Sequence, residues 1–117
     1  MTSPAARRPL IPQPPSTVTA LRQAVAQIAP AALPAFTREL DQAADTARQE
    51  SDLLPLRRFI AQWAAYVHIQ RLPHLAQRLR QLEDTAATGD TAQARSAAAE
   101  IGHMLDEAHT AVTPPQR

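Results

Sequence analysis

Cysteine, lysine and asparagine are absent from the 117 residues, and glycine occurs only at Gly89 and Gly102. Without cysteine there is no disulfide framework, no thiolate chemistry and no Cys-ligated zinc. Without lysine there is no Schiff base and no P-loop, and two distant glycines cannot build the three-glycine dinucleotide fingerprint. Aromatic residues make up 3% of the chain, a composition that disfavours sheet. No apolar run approaches the roughly 18 residues of a membrane span. Arg7 and Arg8 lead into prolines rather than into the apolar core of a leader peptide. A cytoplasmic location is therefore expected. The formal charge of +1 provides no global attraction to nucleic acid.

Alanine fills 25 positions, and all 12 basic residues are arginine. Abundant Ala, Leu, Arg and Gln favour helix. Residues 1–15 carry Pro4, Pro9, Pro12, Pro14 and Pro15, and proline lacks the N–H that helix and sheet require. A disordered, Pro-rich N-terminal tail is expected there. Its stretch Arg8-Pro9-Leu10-Ile11-Pro12-Gln13-Pro14 only loosely resembles a polyproline ligand. Residues 113–117 form a second short tail.

Between the tails, over residues 16–112, apolar residues recur at spacings of three and four, the period of a helix with one buried stripe. The first set is Val18, Leu21, Val25 and Ile28, capped by Ser16 or Thr17 and ended by Pro30. The second is Leu33, Phe36, Leu40, Ala43 and Ala47, with Pro34 in its first turn. The third is Leu53, Leu56, Ile60, Trp63 and Val67, with Asp52 as cap candidate and Pro55 in the first turn. Leu72, Leu75, Leu79, Leu82 and Ala86 form a fourth, and Pro73 either starts it or kinks a longer helix. Thr88-Gly89-Asp90 is a turn in which Gly89 takes the left-handed position. Asp90 and Gln93 make a capping-box pattern. The last set includes Ala94, Ala97, Ala98, Ile101, Met104, Leu105, Ala108 and Val112. The fold class expected is all-α: a single small antiparallel bundle of four to five helices. Its core is thin, so a protein partner or a homodimer is expected.

Glu100 and His103 have the Glu-x-x-His spacing of di-iron bundles, but no second such pair exists and both point away from the Ile101–Leu105 stripe. His68 and His74 flank Arg71 with no carboxylate nearby to orient them. No catalytic, cofactor-binding or metal-binding residue is assigned, and neither enzyme activity nor a small-molecule substrate is expected. Charge is more informative. Residues 36–52 carry net −3, residues 53–82 net +5 without a single acid, and residues 90–109 net −3. Arginine forks suit carboxylates and phosphates, so Arg57, Arg58, Arg78 and Arg80 are the candidate partner-binding residues. The same arginines instead fit pairing with acidic helices inside the bundle. On the third helix, Ala61, Ala65 and Ile69 add a second apolar side. A helix apolar on two sides is central in its bundle or exposes a docking strip.

The stretch Leu33-Pro34, Phe36, Glu39-Leu40, Ala43-Ala44, Ala47, Asp52-Leu53, Pro55-Leu56 and Trp63 resembles a family of short, uncharacterised α-helical proteins from GC-rich bacteria. The similarity spans roughly residues 16–70. Some members lie near genes for RelE/ParE-type toxins, and the resemblance implies an antitoxin-like or regulatory role. The function expected is a non-enzymatic protein-interaction module. The alternative is a DNA-binding regulator using the basic helix pair.

Overall fold

The computed structural model describes residues 7–113. Among the described residues five α-helices run in order: α1 (Val18–Ile28), α2 (Leu33–Glu50), α3 (Leu54–Gln70), α4 (Pro73–Thr88) and α5 (Thr91–Val112), with a 3-10 turn at Pro30–Ala32 between α1 and α2. The described residues contain no strand.

Each helix begins where local chemistry favours a start. The Thr17 hydroxyl accepts the Ala20 N–H at 3.1 Å and caps α1, satisfying one of the donors a helix start leaves open. Asp52 Oδ1 accepts the Leu54 N–H at 2.9 Å ahead of α3. Pro34, Pro55 and Pro73 all sit in first turns, where a missing N–H costs nothing. Leu72 is extended (φ −108°, ψ 100°), so Pro73 starts a separate helix rather than kinking a long one. Asp90 and Gln93 form the reciprocal capping box of α5, with bonds of 2.8 and 3.0 Å.

Gly89 does not take the left-handed position: its φ is −76°. Glycine is needed there for space, because a Cβ would lie 2.7 Å from the Thr85 carbonyl oxygen and 3.0 Å from Gln93. The left-handed residue is Ser51 (φ 52°), whose N–H returns to the Ala47 carbonyl and ends α2.

Helix α3 is the central element and packs against α1, α2, α4 and α5. One side meets the aromatic cluster. Phe36, fully buried, stands edge-on to Phe59 and to Trp63, each at 5.0 Å between ring centres. Leu21, Ala24, Val25, Ala64 and Val67 complete the cluster. The other side meets α5 through Ala65, Ile69 and Ala108, with Leu75, Leu79 and Met104 around them. Both apolar sides are thus used, though Ala61 is exposed. Leu53, expected to begin the α3 stripe, is 60% exposed, because helix geometry starts only at Leu54. Phe59 and Ala64 are buried instead, beyond the expected set.

The Pro-rich segment departs from the expected tail. Residues 1–6 and 114–117 lie outside the described residues. Residues 10–15, however, run as a strap against α3. The Leu10 N–H donates to the Arg71 carbonyl at 2.7 Å. Gln13 donates through Nε2 to the Ala64 carbonyl at 3.2 Å and accepts from Arg71 Nε at 3.0 Å. Ile11 packs on the aromatic cluster. Proline's lost N–H explains why this segment is neither helix nor strand. It does not prevent docking through the side chains and amides of the residues between the prolines.

Candidate functional site

The four candidate arginines do not form one face. Arg78 on α4 is committed internally: its Nε and Nη2 donate to the two carboxylate oxygens of Glu100 on α5 at 2.7 and 2.9 Å. This bidentate fork ties α4 to α5. Glu100, expected on a solvated face, is the partner, and both side chains remain about half exposed (50% and 46%). The pair also lines an open groove of about 420 Å³ with Leu82, Gln93 and Ala97. Arg80, further along α4, is exposed and makes no ion pair among the described residues.

Arg57 and Arg58 lie in the first turns of α3, both exposed and both without an ion pair among the described residues. Arg58 edges a shallow groove of about 250 Å³ between α2 and α3, with Glu39 and Gln62. Gln62 donates to Glu39 at 3.2 Å across it. Leu54, Arg57, Arg58 and Ala61 are spaced by three and four, so they share one side of the helix. Leu54 is 41% exposed and the preceding Leu53 60%. Two adjacent exposed leucines beside two unpaired guanidinium groups therefore mark the α2–α3 corner. Periodicity hid these leucines, since Leu53 has the spacing of a core residue. The signal available was Asp52-Leu53-Leu54-Pro55 itself, a helix start that puts both leucines in or before the first turn.

A larger open groove, about 980 Å³, runs between α1 and α2 over Ala26, Leu33 and Pro34, with Arg22, Arg38 and Asp41 at its edges. Arg22 is held over the Phe36 ring, its guanidinium carbon 5.7 Å from the ring centre.

His103 pairs with Glu107 at 2.8 Å, one turn further along α5. Among the described residues no group of three or more His, Asp and Glu side chains is placed to hold a metal ion. Burial, reinforced by the charge of Arg71, lowers the pKa of His68. Tyr66 moves the other way: burial first, then the charge of Glu83, raises its phenol. Trp63 Nε1 is buried without an acceptor. Among the described residues no helix is long and apolar enough to cross a membrane.

Neither the curated proteins nor the solved structures contain a match to this chain. A family model described only as a family of unknown function, DUF6247, matches residues 9–110. The matched region starts at Pro9, so it takes in the strap as well as the helices.

Proposed function

The chain belongs to the DUF6247 family of unknown function, and we propose that it is a non-enzymatic protein-interaction module that docks through the α2–α3 corner. The observation that carries this is the exposure of Leu53 and Leu54 (60% and 41%) beside the unpaired Arg57 and Arg58. Leucine in water is unfavourable by roughly 1.5–3 kcal/mol relative to burial, and arginine is enriched at interface centres. A partner surface with apolar residues and carboxylates complements both. Arg78 drops out of this site because Glu100 already occupies its fork, and Arg80 lies on a different helix.

The concrete form of the proposal is an antitoxin-like or regulatory role in a bacterial cytoplasm, with a RelE/ParE-type toxin as the partner. The test is copurification from the native cell with a variant carrying Leu53→Ser, Leu54→Ser, Arg57→Glu and Arg58→Glu. The variant is expected to keep its helical circular dichroism and to lose the partner. A folded variant that retains its partner refutes the corner as the docking site. Duplex DNA binding by the parent, falling steeply with salt and lost in the variant, would establish the DNA-binding regulator instead.

A further inference from the structure

Among the described helices, α5 packs on α3 and α4 alone, and one of its sides is left without a partner. Glu100 turns to Arg78 of α4, and His103 pairs with Glu107. At about 100° per residue, Arg95, Ala98, Gly102 and Leu105 fall on a different side, with Asp106 at its edge. Arg95, Ala98, Gly102 and Asp106 are exposed, and Leu105, which has the spacing of a core residue, is 39% exposed. Gly102 stands in the middle of the helix, where glycine is destabilising relative to alanine. Nothing inside the fold requires it: its φ is not positive, and a Cβ there meets nothing within 4 Å. Gly89, by contrast, is crowded by its own chain. A glycine in open space on a helix surface lets a second backbone come close from outside.

Two unpaired charges of opposite sign lie on the same side. Neither Arg95 nor Asp106 makes an ion pair among the described residues. At 1.5 Å per residue they stand about 16 Å apart along the axis, so they do not meet within one chain. Two copies of α5 laid antiparallel bring Arg95 of each beside Asp106 of the other, in two pairs related by a two-fold axis. The same register sets Ala98 of one copy against Gly102 of the other and lays Leu105 along the stem of Arg95. We propose that this side of α5 docks a second copy of the chain as an antiparallel α5–α5 homodimer. Small residues at the crossing let the two axes approach to the short end of the usual range of about 8–10 Å, and covering Leu105 adds apolar burial. One side of a helix of 22 residues, about 33 Å long, lies at the low end of interface sizes. The dimer is therefore weak and reversible. It shares no residue with the α2–α3 corner.

The full-length protein is followed by sedimentation velocity at low ionic strength, from about 5 µM to about 1 mM. A monomer–dimer equilibrium is expected, with a dissociation constant of the order of 10–500 µM. Arg95→Asp and Asp106→Arg each set like charges across the axis in two symmetric contacts, and each is expected to weaken the dimer about tenfold. Combining Arg95→Asp with Asp106→Arg reverses both partners and is expected to return the dimer to within about threefold of the parent. Gly102→Leu fills the crossing and is expected to weaken the dimer at least tenfold. Its melting temperature at about 5 µM is not expected to fall, because the site is open and leucine favours helix over glycine. Circular dichroism checks that every variant keeps the parent's helix content. A parent that stays monomeric up to about 1 mM overturns the proposal. So does a Gly102→Leu dimer as tight as the parent's, or a combined swap as weak as the single changes. The corner variant, Leu53→Ser, Leu54→Ser, Arg57→Glu and Arg58→Glu, is expected to dimerise as the parent does, so that loss of a native partner and loss of self-association are read apart.

Discussion

Around Trp63, three aromatic rings and five aliphatic side chains from α1, α2 and α3 close into one buried cluster. Around Ala108, where α3 meets the α4–α5 hairpin, the buried set is Ala65, Ile69 and Ala108. The difference extends along the elements. Of the 22 residues of α5 only Ala97 and Ala108 are buried, and of the 16 of α4 only Ala76 and Leu82. One half is held by bulk, the other by small side chains that let helices approach closely, by a capping box and by one bidentate ion pair. Bulk burial contributes several kcal/mol per residue, whereas caps and exposed pairs contribute about 1 kcal/mol or less each. The hairpin is therefore the half that opens first, and its integrity depends on polar details the aromatic half does not need.

The largest expected effect is in the aromatic half. Trp63→Ala removes the ring that touches Phe36, Phe59 and Tyr66, and a loss of about 3–5 kcal/mol in urea unfolding is expected. Trp63→Phe keeps a ring and discards the N–H that lacks an acceptor, so it is expected to cost well under half as much. A Trp63→Ala protein melting close to the parent would erase the contrast between the halves.

In the hairpin, Asp90→Ala removes the α5 cap and is expected to cost about 1 kcal/mol. Hydrogen exchange sharpens this. Amides of α4 and α5 are expected to exchange faster in the variant, while those of α1 near Leu21 and Val25 stay unchanged. Uniform acceleration across both halves would mean that they unfold as one unit.

Arg78→Ala is expected to cost less, about 0.5–1 kcal/mol, since the Glu100 pair is half exposed. Its signature is salt dependence: the parent's advantage shrinks as ionic strength rises.

The smallest effect concerns His68 at the end of α3. Its folded pKa lies below the ordinary 6.5, so below that pH the unfolded chain binds more protons than the folded one. Stability is expected to be full above pH 6.5 and to fall as the solution is acidified through that value. His68→Gln is expected to flatten this part of the profile, measured by thermal melts across pH 5–8. An unchanged slope would assign the acid sensitivity to other groups.

The helices and most of their starts were legible in the sequence because caps and first-turn prolines act locally: Thr17, Pro34, Pro55, Pro73 and Asp90 each operate within three residues. The central place of α3 was legible from its two apolar sides. What escaped depends on distant or steric partners. An extended proline-rich run has the same local pattern whether docked or free, and its docking rests on Gln13 meeting residues more than 50 positions away. Gly89 departs from the left-handed expectation because crowding by Thr85 and Gln93, not backbone sign, requires glycine there. The Arg78–Glu100 fork depends on the register that the Gly89 turn imposes between α4 and α5. At the candidate corner the arginines were legible as a charge excess. Their separation from Arg78, and the exposure of Leu53, required the fold.

The tie between Gln13 and Arg71 also sets an order of events during synthesis. The two residues are 58 positions apart. At about 5–20 residues per second, Gln13 is made roughly 3–12 s before its partner. For that interval Ile11 has no seat, and α1 has neither α3 nor the Trp63 ring to cover it. The early half of the chain therefore waits, apolar side chains uncovered, for α3 to leave the ribosome. When α3 arrives, it supplies the seat for the strap and the missing wall of the core in the same step.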